Sequence, residues 1–300
     1  MSEMTYRPLG DSGLMVSAVG IGCNAFGRRV DLDGVRDILD AAQDVGVTLL
    51  DTADVYGGQG ASEKMLGEAL QGRRDDFVVA TKFGMDMQGA NGADHGARGS
   101  RAYVRRAVEA SLRRLQVDHL DLYQYHEPDD VTPIEETLSA LTDLVREGKV
   151  RYVGVSNVGG WQVADADWTA RTGGFERFVS VQNRYSLLDR SAAETLFPLC
   201  LDRGVAVIAG GVFGSGVLAD PEARPFYRYQ PVEPDLVARV ELMRESCRAH
   251  GVTLPQAALA FVTDHPAVTT AVVGARLPSE VEALLASARS TVPQELLESL

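Results

Sequence analysis

The sequence has few cysteines and no long apolar run. Its 300 residues include only three cysteines, Cys23, Cys200 and Cys247, which are widely spaced and form no CxxC pair. This pattern excludes a disulfide framework and a cysteine zinc site, and it favours a reducing compartment. The first ten residues lack the apolar core of a signal peptide, and no run approaches the roughly 20 residues of a membrane span. We therefore expect a cytoplasmic protein with no membrane partner.

Positive charge is also scarce. The chain has 29 Lys and Arg residues against 42 Asp and Glu residues, which gives a net charge of −13. Such a surface disfavours binding to nucleic acid or to anionic membranes, so neither is an expected partner. Hydrophobic residues make up 45% of the chain and charged residues 24%. This composition predicts a folded protein with a large core.

Short apolar or β-branched runs alternate with amphipathic stretches along the whole chain. Repeated strand–helix units require a parallel sheet with right-handed crossovers, and eight units close most naturally into a (β/α)8 barrel. The chain has no interdomain linker, so we expect one barrel domain over residues 1–300, as a monomer or a weak homo-oligomer. The predicted strands are Ser17–Gly22, Val47–Thr52, Phe77–Lys82, Leu120–His126, Val150–Ser156, Phe178–Asn183, Val205–Gly210 and Thr270–Gly274.

The rival fold is a doubly wound open sheet, which would carry GxGxxG after its first strand. Here the first predicted strand leads into Gly20-Ile21-Gly22-Cys23-Asn24-Ala25, which lacks the third glycine. The chain then continues through Phe26-Gly27-Arg28-Arg29 and not directly into a helix. The dinucleotide fingerprint of that fold is therefore absent, which favours the barrel.

Three segments interrupt the strand–helix alternation. Residues 4–16 hold Gly10-Asp11-Ser12-Gly13 between two short extended pieces, which predicts a hairpin before the barrel, placed to plug its bottom. Residues 83–100 and 211–234 are long connections that follow strands. Loops of this length usually serve as lids or binding loops, and both should lie at the C-terminal face of the barrel.

Polar residues end five successive predicted strands. One lysine or histidine at a strand end is ordinarily explained by packing or by contact with solvent. A barrel, however, brings the C-terminal ends of all its strands to one mouth, where the active sites of such barrels form. The polar residues are Asp51, Lys82, His126, Ser156 with Asn157, and Gln182 with Asn183.

These residue types predict proton transfer. Asp51 and Lys82 lie on neighbouring strands and can pair. A phenol beside that ammonium, such as Tyr56, should have its pKa lowered from about 10, which would make it a general acid or base. His126 can donate a hydrogen bond to a substrate oxygen and polarise a carbonyl group.

Two kinds of hydrolase receive little support. Ser156 has no evident base and the chain has no GxSxG motif, which disfavours a serine nucleophile. A metal-assisted barrel hydrolase could use Asp51, Asp54 and His126, but the HxH motif is missing after the first strand, where Cys23-Asn24-Ala25 stands. We expect no metal and keep this hydrolase as a minor alternative.

The chain resembles the aldo-keto reductase family over nearly its whole length. The opening Tyr6-Arg7-Pro8-Leu9-Gly10 fits that family, and five further stretches match it. The matching stretches, in the family's order, are Leu50–Gly57, Thr81-Lys82, His126–Asp129, Gly148–Asn157 and Gln182–Ser186.

The resemblance implies a (β/α)8 barrel that binds NAD(P)H extended across its mouth and acts on a small carbonyl or sugar substrate. Tyr56 would donate the proton in reduction and accept it in oxidation. Lys82 and Asp51 would tune Tyr56, and His126 would orient the carbonyl. A non-redox regulatory subunit that binds NADP(H) on the same barrel is the alternative, and it is disfavoured because this set of four residues is complete.

For the cofactor, the resemblance implies that Ser156, Asn157 and Gln182 bind the nicotinamide carboxamide. Many members stack an aromatic ring on the nicotinamide after the seventh strand, but Gly210 stands at that position, which leaves Phe213 as a substitute ring. The C-terminal third resembles the aldose 1-dehydrogenases that oxidise L-fucose or D-threo-aldoses. The first 190 residues or so are more similar to general aldehyde or ketone reductases.

The far end of the cofactor should lie near Gly274, after the eighth strand. Arg276 could pair with a 2′-phosphate at the N-terminus of the following helix. Glu280, where members often carry Arg or Gln, would repel that phosphate. We therefore expect use of both NADP(H) and NAD(H).

Overall fold

The computed structural model describes residues 4–219, 226–227, 230–231, 234–288 and 290–300. Eight parallel strands close into a barrel in the order β12-β3-β4-β5-β6-β7-β8-β9, which confirms the predicted (β/α)8 fold. In chain order the strands are β1 (Tyr6–Pro8), β2 (Met15–Ser17), β3 (Val19–Gly22), β4 (Leu49–Asp51), β5 (Val78–Phe83), β6 (Leu120–Tyr125), β7 (Val150–Ser156), β8 (Ser180–Arg184), β9 (Ala206–Gly210), β10 (Phe226–Tyr227), β11 (Gln230–Pro231) and β12 (Val268–Gly274).

Helices connect the barrel strands and cover their outer face. Local signals set several helix ends: Asp31 accepts a hydrogen bond from Gly34 N at 3.0 Å, and Thr253 forms a capping box with Gln256. The helices of the described residues are α1 (Leu32–Asp44), α2 (Ala61–Ala69), α3 (Arg101–Leu115), α4 (Ile134–Arg146), α5 (Gly160–Gly173), α6 (Ser191–Arg203), α7 (Pro234–Ala249), α8 (Leu254–Thr263), α9 (Pro278–Ala288) and α10 (Gln294–Ser299).

The first two barrel strands begin later than predicted. The observed strands start at Val19 and Leu49, whereas the apolar runs begin two residues earlier. The reason is a reciprocal pair of hydrogen bonds between the backbone and hydroxyl groups of Ser17 and Thr48 at the bottom of the barrel. Ser17 N donates to Thr48 Oγ1 at 3.1 Å, and Thr48 N donates to Ser17 Oγ at 3.0 Å. Hydroxyl groups thus replace the ladder hydrogen bonds there.

The predicted N-terminal hairpin is present and closes the bottom of the barrel. Strands β1 and β2 pair antiparallel, and Asp11 N donates to Gly204 O at 2.8 Å. Leu9 and Val16 are fully buried in one cluster with side chains from the barrel interior. Those interior side chains are Leu49, Ala80, Leu122, Ala206, Ile208 and Val272.

The mouth carries the two long connections. Residues 84–100 contain neither helix nor strand. The predicted loop over residues 211–234 lies partly outside the described residues, because 220–225, 228–229 and 232–233 are not described. All three cysteines are buried and free. Within the described part of the chain, every helix is too short or too polar to span a membrane.

The hairpin makes a testable contribution to stability. We expect Leu9→Ala to lower the free energy of unfolding by about 2–5 kcal/mol, because it opens a cavity between the hairpin and the barrel interior. Met15→Ala in the same hairpin is the matched control, since Met15 is 49% exposed. It should change stability by no more than about 0.5 kcal/mol. Urea unfolding measures both, and equal losses would show that the hairpin does not act as a plug.

Candidate active site

A buried ion pair lies at the floor of the barrel mouth. Lys82 is 1% exposed and Asp51 is 3% exposed. Lys82 Nζ lies 2.7 Å from each carboxylate oxygen of Asp51 and donates to Thr52 O at 2.9 Å. Burial acts to lower the pKa of Lys82, but the charges and hydrogen bonds of Asp51 and Tyr56 together outweigh it, so the pKa is raised and the ammonium persists.

Two amide side chains complete the surroundings of Asp51. Gln124 Nε2 lies 3.3 Å from one carboxylate oxygen, and Gln182 Nε2 donates to the other at 3.0 Å. Gln124 also donates to Gln182 Oε1 at 3.2 Å. No sequence motif points to Gln124. Its only signal was a polar residue inside an apolar strand, where the barrel register turns it inward.

Tyr56 is held over this ion pair by a tight turn after β4. Tyr56 N donates to Ala53 O at 3.1 Å, and Ser62 N donates to Tyr56 O at 3.2 Å. Gly57 has φ +73°, and a Cβ there would lie 2.7 Å from Phe26 O, so the turn needs glycine. Lys82 Nζ lies 5.0 Å from the centre of the Tyr56 ring. The turn therefore fixes the phenol beside the ammonium.

The pKa of Tyr56 corrects one expectation. Lys82 lowers this pKa as predicted, but burial of the phenol raises it by more. The net shift is upward, so the expected lowering was wrong. At neutral pH the side chain is a neutral phenol that carries a proton, which suits a general acid.

His126 forms the opposite wall of the site. Its ring lies edge-on to Tyr56, with 5.7 Å between the ring centres. Burial, with a smaller effect from the charge of Lys82, lowers the pKa of His126 to about 3. The imidazole is therefore neutral at physiological pH and has one N–H to donate. The backbone is held at this point because His126 N donates to Phe83 O at 2.7 Å and Asn157 Nδ2 donates to His126 O at 3.0 Å.

The residues predicted to hold nicotinamide lie beside His126. Ser156 Oγ donates to Gln182 O at 2.8 Å and accepts from Asn157 Nδ2 at 3.1 Å. Asn157 is exposed and has φ +56°, and its Oδ1 makes no hydrogen bond within the described residues. The structure thus brings these three residues together, but the Gln182 amide is already bonded to Asp51.

Gly210 and Phe213 lie after β8 in the chain, on β9 and just beyond it. Among the described residues, a Cβ on Gly210 would meet only Asn183 O, at 3.7 Å. Phe213 is partly buried and packs against both the barrel core and a second apolar cluster formed by residues such as Val217 and Val240. This packing explains why an apolar ring is present at position 213. Stacking of the Phe213 ring on nicotinamide stays a prediction.

Arg276 and Glu280 contact each other beyond β12. Glu280 accepts from the Arg276 backbone N–H at 2.6 Å and from the guanidinium at 2.8 Å. Burial raises the pKa of Glu280, but these bonds and the charge of Arg276 outweigh it, and the pKa is lowered. The carboxylate therefore satisfies the backbone N–H of Arg276 just before α9. Gly274, at the end of β12, is exposed.

The acidic groups at the mouth do not form a metal site. Among the residues that the structure describes, no group of three or more His, Cys, Asp or Glu side chains could hold a metal ion. Asp54, one of the weighed ligands, is fully buried and bonded to Asn91 at 2.9 Å. It thus belongs to a different set of contacts from Asp51 and His126.

The chain is similar to known oxidoreductases along its length. Residues 18–300 match the aldo/keto reductase family. The chain is 34% identical to the uncharacterised oxidoreductase YrpG of Bacillus subtilis (strain 168), over 99% of this chain and 95% of that protein. It is 31% identical to versiconal hemiacetal acetate reductase of Aspergillus parasiticus, over 99% and 96% of the two chains.

A solved structure agrees with these matches. The aldo-keto reductase AKR11C1 from Bacillus halodurans, in its holo form, superposes with a TM-score of 0.82 at 34% identity. The match covers 99% of this chain and 95% of that one. Aldo-keto reductases use NAD(P)H. The eight-stranded barrel, the family match and these relatives together identify the chain as an oxidoreductase of the aldo-keto reductase family.

Proposed function

We propose that this protein interconverts a carbonyl group of an aldehyde, ketone or aldose and the corresponding alcohol or lactone, using NAD(P)(H) and Tyr56 as general acid and base. The observation that carries the proposal is that Lys82 and His126 both lie close to the ring of Tyr56. A buried ammonium lies 5.0 Å from the ring centre and a neutral imidazole 5.7 Å from it. These three groups supply a proton, stabilise the charge that its loss creates, and bind the substrate oxygen.

The roles follow from the charge states. In reduction, the neutral Tyr56 hydroxyl donates its proton to the carbonyl oxygen. The Lys82 ammonium, held by Asp51, stabilises the phenolate that remains. In oxidation, the phenolate accepts the proton of the alcohol. His126 donates one N–H to the substrate oxygen and adds no net charge of its own.

The residues at the mouth fit a nicotinamide group. Among the described residues, the amide oxygen of the exposed Asn157 has no hydrogen-bond partner, and a Cβ on Gly210 would meet only Asn183 O, at 3.7 Å. Asn157 and Ser156 would hold the carboxamide, with Gln182 behind them. When bound, nicotinamide supplies the hydride in reduction and accepts it in oxidation. Asn157 would be the main hydrogen-bonding partner of the carboxamide, because the Gln182 side chain already donates to Asp51.

The contact between Arg276 and Glu280 bears on the choice of cofactor. A 2′-phosphate that approaches Arg276 meets a carboxylate already bonded to it at 2.8 Å. NAD(H) has no 2′-phosphate, so its binding does not require a free Arg276 guanidinium. We therefore propose use of both NAD(H) and NADP(H), in which Glu280 reduces the preference for the phosphorylated form. The resemblance of residues 209–218 to aldose dehydrogenases makes aldoses with NAD(P)+ one arm of a substrate screen and aldehydes with NADPH the other.

Replacement of the phenol tests the acid–base role. We expect Tyr56→Phe to lower turnover at least ~100-fold, because the ring stays in place but the proton is lost. The dissociation constant of NADPH, measured by fluorescence titration, should stay unchanged. Tyr152→Phe is the matched control, since Tyr152 packs near the hairpin at the opposite end of the barrel. A loss of less than tenfold in Tyr56→Phe would show that another group transfers the proton.

The pH profile tests the charge states. Because the pKa of Tyr56 is raised above its usual value, we expect kcat for reduction to stay constant from pH 6 to about 9 and kcat for oxidation to rise over the same range. Because the pKa of His126 is about 3, neither profile should break near pH 6.5. The measurement is kcat at saturating substrate and cofactor. A break near pH 6.5 that disappears in His126→Gln would contradict the neutral imidazole.

Removal of the Glu280 carboxylate that is bonded to Arg276 tests the proposed use of both cofactors. We expect Glu280→Gln to raise the ratio of kcat/KM for NADP+ over NAD+ by about tenfold, because the guanidinium becomes available to phosphate and the opposing charge is removed. Glu282→Gln, on the exposed face of the same helix, makes the same charge change and should leave the ratio unaltered. Equal ratios in both variants would mean that residue 280 lies away from the ribose.

A further inference from the structure

We propose that Asn91 is a positioning residue for the substrate: it fastens the long loop of residues 84–100 to the turn that carries Tyr56, with Asp54 as its partner. The inference rests on the proposed function for the identity of the substrate site. The contact between loop and turn is a property of the fold and is measurable without turnover.

Asn91 is the one buried residue in the middle of this loop. It is 4% exposed, whereas its neighbours from 88 to 98 are all exposed or half-buried. A long loop without secondary structure has few contacts to offset the entropy of ordering it. A buried polar side chain in such a loop must be hydrogen-bonded, so its partners decide where the loop lies.

The partners of Asn91 come from two other elements. Its Nδ2 donates to Asp54 Oδ2 at 2.9 Å, and its Oδ1 accepts from Arg114 Nη1 at 3.2 Å. Its backbone oxygen accepts from Arg106 Nε at 3.2 Å. Arg106 and Arg114 both belong to α3. The side chain therefore joins the loop to α3 and to the turn after β4.

Asp54 connects this anchor to the candidate active site. It lies two residues before Tyr56, and its backbone N–H donates to Lys82 O at 3.1 Å. The other end of the loop is also fastened, because Gly99 N donates to Asp129 Oδ2 at 2.6 Å, three residues after His126. The loop thus spans from the Tyr56 turn to the segment that follows His126, which are the two sides of the site.

The surroundings of Asp54 explain why its partner is an amide. Burial and the nearby charge of Glu63 raise the pKa of Asp54 to about 8, in spite of Arg114 and Asn91. Tyr103 and Tyr123 also lie close to it, and Glu63 is ion-paired with Arg114 at 2.6 Å. Asp54 is therefore a neutral carboxylic acid at neutral pH. The neutral Asn91 amide donates to Asp54 Oδ2 and adds no further charge to this pocket, while Asp54 Oδ1 has no hydrogen-bond partner among the described residues.

The test compares four variants of the full chain. Asn91→Ala should raise KM for the best carbonyl or alcohol substrate by about tenfold, the effect of losing a buried hydrogen bond, with less change in kcat. The dissociation constant of NADPH should be unaltered. Asp54→Ala should do the same, and the double variant should be no worse than either single one. Asp54→Asn, which mimics the neutral acid, should raise KM less than Asp54→Ala.

Hydrogen exchange separates this proposal from the proposed function. In Asn91→Ala, amides of residues 84–100 should exchange faster while those of α4 stay unchanged. The control is Thr142→Val, which removes the hydroxyl that donates to Leu138 O in α4 and accepts from Glu176 N, and it should alter neither KM nor the loop. If Asn91→Ala does not fold, Asn91→Leu keeps the volume and loses the bonds. An unchanged KM or unchanged loop exchange would overturn the anchor, whereas a wild-type enzyme without turnover would overturn only the function.

Discussion

The site depends on one buried ion pair, between Lys82 and Asp51. An ion removed from water costs several kcal/mol unless its partner and its remaining hydrogen bonds are supplied. Here the carboxylate receives the ammonium and two amides, and the ammonium also reaches Thr52 O at 2.9 Å. These groups come from β4, β5, β6 and β8. The pair is therefore stable only when the closed barrel brings these strands together.

The charge states of the neighbouring residues follow from this pair and from burial. The same ammonium that helps to keep His126 neutral favours the phenolate of Tyr56 over what burial alone would allow. One cation thus lowers the pKa of an imidazole and opposes the rise in the pKa of a phenol. The net charge of −13 has no part in this, because the local field of a desolvated lysine dominates at these distances.

The surroundings of Tyr56 and those of Gly210 and Glu280 differ in how they are built. Asp51, Lys82 and His126 are buried, and backbone hydrogen bonds to Ala53 and Ser62 hold Tyr56 in its turn. After β9, a Cβ on Gly210 would meet only Asn183 O among the described residues, and after β12 Glu280 is bonded to Arg276. The loop of residues 84–100 is less constrained than the residues around Tyr56, since a few hydrogen bonds of the buried Asn91 hold it in place. Variation among substrates and cofactors is easiest where packing constrains least.

The sequence by itself determined the barrel, the hairpin plug and the place of the candidate site, because strand periodicity and polar strand ends are local signals. It also placed Tyr56, Lys82 and His126 at one mouth, since parallel strands share their C-terminal edge. Only the tertiary structure decided the upward shift in the pKa of Tyr56, because desolvation depends on neighbours far apart in the chain. For the same reason it alone revealed Gln124 beside Asp51 and the bond between Asp54 and Asn91, which join residues that local sequence patterns do not relate.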